Sequence, residues 1–177
     1  MKKKMKLKLQ ILSLLLAVVL GMGIMPANVY AAENPVSRVE TMNMTYGQMG
    51  TPDIIMQGNV NNSGLTRDAS YLSNCNISIG YADYGLHIVC QTSTTKMATK
   101  IGVTDVKVQE KSGIFWNTIA TSSGSFVYND ETFLGSCDCT NVVDGKTYRI
   151  KCTHYAYVDG TYYSYDHTTD SFIYVKP

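Results

Sequence analysis

From Cys75 onward, apolar residues recur at every second position. Cys75, Ile77, Ile79 and Tyr81 share one face, with Asn76, Ser78 and Gly80 on the other. That alternation is the period of a half-buried strand. After an Asp83-Tyr84-Gly85 turn, Leu86, Ile88 and Cys90 share a face opposed by His87 and Gln91. Ile101 to Glu110 supplies another strand, in which Val103 and Val106 differ in parity; this predicts a bulge or break near Asp105. Lys111-Ser112-Gly113 turns the chain into Ile114 to Ala120, which carries Trp116. Ser125 to Tyr128, Thr132 to Val143, Thr147 to Val158 and Thr161 to Val175 complete the set. About seven to nine short strands, regular turn signals and no helical period predict an all-β, antiparallel β-sandwich over residues 71–177.

One pair of strands can be aligned residue by residue. Asp159-Gly160 is a two-residue hairpin signal, because a type I′ turn needs positive φ at both central positions. Pairing Val158 with Thr161 sets Tyr157 opposite Tyr162, His154 opposite Tyr165, Cys152 opposite His167 and Arg149 opposite Asp170. Tyr148, Ile150, Cys152, His154, Ala156 and Val158 then form the core face. Tyr155, Tyr157 and Tyr162 lie on the outer face, with Tyr163 and Tyr165 pointing inward.

The pattern upstream is different. Met1 to Lys8 carries five lysines, an apolar run spans Ile11 to Met25, Pro26 follows, and Val29-Tyr30-Ala31 ends in small residues at −3 and −1. This is the layout of a secretory signal peptide over residues 1–31, cleaved after Ala31. The apolar run falls short of the roughly 20 residues that a bilayer core requires. Residues 32–70 show no period apart from Asp53-Ile54-Ile55-Met56 and read as a flexible arm with one possible edge strand. Met42, Met44, Met49 and Met56 in that arm are expected to cover part of the sandwich.

Composition narrows the classes. The chain has 177 residues, 15 basic and 14 acidic, and a formal net charge of +1. Removing the leading lysines leaves an acidic remainder, which excludes a basic nucleic-acid reader. Low charge with frequent Tyr, Thr and Ser argues against disorder. An exported chain with no second apolar stretch is extracellular, has no membrane span after signal removal, and meets conditions in which disulfides persist.

Asp144-Gly145-Lys146-Thr147-Tyr148-Arg149-Ile150-Lys151-Cys152 resembles the corner leading into strand F of immunoglobulin- and fibronectin-like sandwiches. The resemblance implies that the Tyr148 hydroxyl bonds back to upstream backbone. It departs from antibody domains, since Tyr148 precedes Cys152 by four residues and Trp116 lies far beyond Cys90. More broadly, Thr92, the run Val106-Lys107-Val108-Gln109-Glu110-Lys111 with Trp116, and Gly145 to Arg149 resemble small secreted proteins of Gram-positive bacteria, over roughly residues 75–175. That likeness implies location and fold and brings no catalytic residues with it.

Cys75, Cys90, Cys137, Cys139 and Cys152 are an odd set, so connectivity is open. Shared parity favours a Cys90–Cys152 disulfide, with Cys75 to Cys137 or Cys139 as a second candidate and an all-reduced, buried set as the rival. The hairpin register also brings Cys152, His154 and His167 onto one face, where they are a candidate metal site, with Cys90, Cys137 or Cys139 as a fourth ligand, or a Cys–His nucleophile. No CxxC, HExxH or Gly-x-Ser-x-Gly signature accompanies them. Seven of the thirteen tyrosines fall between Tyr148 and Tyr174. Tyr155, Tyr157 and Tyr162 are a candidate surface for a cell-wall glycan or a surface protein, because Tyr joins apolar area to a hydroxyl. The expectation is therefore a secreted, non-enzymatic binding module needing no cofactor. The alternatives are a metal or Cys/His site, and a self-assembling structural or toxin-like component.

Overall fold

In the computed structural model, residues 39–47, 54–57 and 71–177 are described. The expected signal peptide, Met49 and most of the 32–70 arm lie outside them. The described residues form nine strands: β1 (Glu40–Thr41), β2 (Thr45–Tyr46), β3 (Ile54–Gln57), β4 (Leu72–Ala82), β5 (Gly85–Ser112), β6 (Phe115–Cys139), β7 (Thr147–Val158), β8 (Thr161–Thr168) and β9 (Phe172–Ile173). They contain no helix long and apolar enough to cross a membrane.

Two strands carry the architecture. β5 runs for 28 residues and β6 for 25, paired along almost their whole length. The sequence predicts shorter, separate strands here, because Thr92 to Lys100 and Thr121 to Gly124 read as polar breaks. The backbone instead stays extended and bends. A register shift between Ser93 and Ala98 and the positive φ of Asn129 and Gly124 absorb the bends. Gly124 sits at φ +85°, where a side chain is strained.

The bend makes one continuous sheet serve as two layers. Before it, β5 pairs with β4 and with the end of β6; after it, with the start of β6 and with β7. Cross-layer bonds tie the halves together. The Tyr81 hydroxyl donates to the Ile173 carbonyl at 2.8 Å, and the Tyr174 hydroxyl donates to the Ala82 carbonyl at 3.0 Å. Between them lie Ile77, Ile79, Leu86, Ile88 and Phe133 from one layer and Ile101, Val103, Val108, Ile150 and Val158 from the other, all buried. Each such side chain contributes about 1.5–3 kcal/mol on burial. Alternation over Cys75–Tyr81 and Leu86–Cys90 is thus matched by burial of every predicted inward residue.

The pairing is mixed rather than wholly antiparallel. β1 lies parallel to β6, with Glu40 opposite Ala120, while β2 and β3 pair antiparallel with β6 and β4. The Glu40 carboxylate holds this arm by accepting from the Thr140 and Asn141 backbone N–H groups, both at 2.9 Å. Met42 is buried in the core, and Met44 packs against it.

The β7–β8 hairpin keeps the predicted register from Val158–Thr161 to Lys151–Thr168. It fails at Arg149, which does not face Asp170. β8 ends at Thr168, and the Thr169 hydroxyl takes the Ile150 N–H at 3.0 Å. The chain returns as β9 shifted by one residue, with Tyr148 opposite Phe172. Arg149 instead donates to Gln109 Oε1 at 2.9 Å and lies 4.2 Å over the Trp116 ring. The bulge expected near Asp105 is present: Asp105 has φ 53°, and the β5–β7 register shifts between Thr104 and Lys107. Tyr148 closes its corner, accepting from the Val143 N–H at 2.8 Å and donating to Glu110 Oε2 at 3.1 Å.

Candidate functional site

The outer face of the second layer is ordered in rows by strand register. Tyr128, Lys100, Tyr157 and Tyr162 form one row across β6, β5, β7 and β8; Phe126, Gly102, Tyr155 and Ser164 form the next. Gly102 has no side chain and is itself buried, and the Phe126 Cβ and Ser125 carbonyl of the adjacent strand take the space that a Cβ would need. Tyr155 and Tyr162 stack with centroids 6.0 Å apart, Tyr157 and Tyr162 meet at 5.0 Å, and Phe126 and Tyr128 meet edge-on at 5.2 Å. Lys100 Nζ sits 3.9 Å over Phe126 and 5.7 Å from the Tyr155 ring centre, linking the two groups.

Exposure separates the roles of these rings. Tyr128, Tyr162, Phe126 and Tyr157 are 61%, 47%, 42% and 38% exposed, whereas Tyr155 is 8% exposed. Tyr155 therefore lies on the expected face but serves as the buried support of the patch. Burial and the neighbouring tyrosines push its hydroxyl up to about 12. Lys100, Phe126 and Tyr128 escaped the sequence reading. Their own period of two put them on one face, but only the long-range β5–β6 and β5–β7 registers place them beside Tyr155. Tyr163 and Tyr165 are half-buried and pack against the core.

Inside the sandwich, Cys152, His154 and His167 do meet. Cys152 Sγ is 3.4 Å from His154 Nε2, which is 3.1 Å from His167 Nδ1. Thr92, from the opposite layer, adds a 2.8 Å contact to His154 Nδ1 and donates to the Gly102 carbonyl at 3.1 Å. With its one proton on that carbonyl, Thr92 accepts from His154 Nδ1–H and leaves the Nε2 lone pair facing Cys152 and His167. Burial lowers His154 to about 3, and burial with the adjacent His154 lowers His167 to about 4. Both rings are neutral at physiological pH. The contacts run in series, and among the described residues no three His, Cys, Asp or Glu side chains are arranged to hold a metal ion.

All five cysteines are free and buried, so the expected Cys90–Cys152 bridge is not formed. Those two thiols nevertheless meet across the layers: a hydrogen bond to Cys152, then burial, raises Cys90 well above the ordinary thiol range. Cys75 lies on β4 and Cys137 and Cys139 on β6, with β5 between them. Strands spaced about 4.8 Å apart put Cα atoms two strands away beyond the roughly 7 Å reach of a disulfide. Burial pushes Cys75 and Cys139 up to about 12.

No protein-family model matches the chain, and no curated protein matches it.

Proposed function

We propose that this chain is a secreted, non-enzymatic binding module that takes a cell-envelope polysaccharide on the aromatic face of its second layer. The observation that carries this is the cluster of five rings, Phe126, Tyr128, Tyr155, Tyr157 and Tyr162, on the outside of a sheet rather than in its core. Exposed aromatic groups of this extent on a soluble domain mark an interaction surface. A sugar ring offers apolar C–H faces to stack on such rings and hydroxyls to bond the tyrosine O–H groups. Rings arrayed in rows across neighbouring strands suit an extended chain of sugars.

The interior cluster supports a non-enzymatic role. A histidine near pKa 3 is a weak base at neutral pH, where general bases titrating near the working pH are effective. His154 also spends both ring nitrogens on internal contacts. The signal layout of residues 1–31 supports export, and the Tyr148 corner supports an immunoglobulin-like form of the sandwich.

The test is retention of purified protein on insoluble cell-wall polysaccharide, with host-surface proteins as a parallel panel. Tyr157→Ser with Tyr162→Ser should abolish retention on polysaccharide while the melting temperature holds. Unchanged retention removes the aromatic face as the ligand surface.

A further inference from the structure

The same outer face continues past the rings into a cleft of about 440 Å³ lined by Asp105, Lys107, Lys151, Asp166, Gln109 and Thr153, among others. That volume lies within the range of small-ligand sites. The cleft opens where the Asp105 bulge interrupts the β5–β7 ladder between Thr104 and Lys107.

Its charges are ordered along the strands. Asp166 faces Thr153, which donates to it at 2.6 Å. Two residues along β7 from Thr153, Lys151 stands directly opposite Lys107. Directly opposed residues on one face hold their Cβ atoms about 4.5–5.5 Å apart, and like charges so placed destabilise a sheet. Neither lysine forms an ion pair among the described residues. Arg149, the next cation on this face, is already engaged by Gln109 and Trp116. The opposed lysines thus place two cations without an ion-pair partner side by side at one end of the cleft.

We infer that the Lys107–Lys151 end of this cleft binds an anionic substituent, a carboxylate or phosphate group, carried by the same polysaccharide whose sugars stack on the rings. Asp105 and Asp166, between the lysines and Tyr162, accept bonds from sugar hydroxyls. The ligand would therefore run along β7 from Tyr157 to Lys151, about 20 Å at strand rise. This inference rests on the aromatic face binding glycan, and it adds the class of glycan.

Full-length protein is titrated with three soluble polysaccharides: a neutral glucan, a polyuronate and a polyol-phosphate polymer. The lysine end should favour at least one charged polymer over the glucan by about tenfold, as expected for charge-assisted bonds, and 0.5 M salt should erase the preference. Lys107→Gln with Lys151→Gln should remove the preference and leave glucan binding unchanged. The double variant should melt with the parent, because the substitutions fall at exposed and half-exposed positions. Preference for the polyuronate assigns the carboxylate, and preference for the phosphate polymer assigns the phosphate. Equal affinity for all three polymers, or a preference that survives the double substitution, overturns the lysine site while leaving the aromatic face standing. Loss of glucan binding in Tyr157→Ser with Tyr162→Ser, beside a lysine-dependent response to glucuronate or inorganic phosphate, separates the two sites. If no polymer binds and neither small anion raises the melting temperature, both fall.

Discussion

Thr92 Oγ1 and His154 Nδ1 stand 2.8 Å apart, fully buried, and join the two layers of the sandwich at its centre. The hydroxyl belongs to the part of β5 that precedes the bend, and the ring belongs to β7. Removing the acceptor should leave a buried N–H unpaired. Thr92→Val, which keeps the shape, is predicted to lower unfolding stability by about 1–3 kcal/mol. Thr92→Ser should recover most of it. Urea unfolding midpoints at constant slope read the difference.

The buried histidines make stability depend on pH with a defined sign. Burial lowers His154 to about 3 and His167 to about 4, while unfolded histidine titrates near 6.5. The unfolded chain therefore takes up protons first as pH falls. Their contribution is complete above about pH 6.5 and is lost progressively toward pH 4 and below. Each histidine contributes a slope of about 1.4 kcal/mol per pH unit in that window. Thermal or urea unfolding between pH 7 and pH 5 should show a loss on the order of 2–4 kcal/mol, and His167→Gln should halve the slope. A flat profile would contradict neutral, buried rings.

Thiol chemistry should follow the layering. All five thiols are buried, so a thiol reagent should react with almost none in the folded protein and with five after unfolding under reducing conditions. Where slow opening of the fold admits a two-electron oxidant such as diamide, the disulfide formed should link Cys90 to Cys152, the two thiols that meet across the core. Peptide mapping without reduction identifies the linked pair. A bridge from Cys75 to Cys137 or Cys139 would contradict the observed strand order.

Gly102 stands between Phe126 and Tyr155 in strand register. A Cβ there would collide with the Ser125 carbonyl oxygen and the Phe126 Cβ, which belong to the adjacent strand. Gly102→Ala should part β5 from β6 locally, destabilise the fold by about 1–3 kcal/mol and weaken glycan retention. Differential scanning calorimetry and the retention assay measure the two effects together.

The sequence made local order legible and long-range order hidden. Period-two runs identified the inward residues of β4, β5 and β7, and Asp159-Gly160 set the hairpin register, because both depend on neighbours in sequence. The parity change between Val103 and Val106 located the bulge for the same reason. Polar runs such as Thr92 to Lys100 misled, since extended backbone that bends between layers need not carry apolar residues. Thr169 broke the register at Arg149 by substituting a side-chain oxygen for a ladder partner, which parity does not reveal. Three of the five rings of the aromatic face were visible in the hairpin. Phe126, Tyr128 and Lys100 join it through pairings of non-adjacent segments, as Thr92 joins the interior cluster, whereas the parity of Cys90 already set it facing Cys152.

The most direct measurement is a nuclear magnetic resonance titration of labelled protein with a soluble wall-polysaccharide fragment. Saturable shifts should begin at Phe126, Tyr128, Tyr157 and Tyr162 and extend along β7 toward Lys151. The core reporters Ile77 and Val108 should stay still. Shifts confined to the opposite layer, or none at millimolar fragment, would contradict a glycan-binding aromatic face.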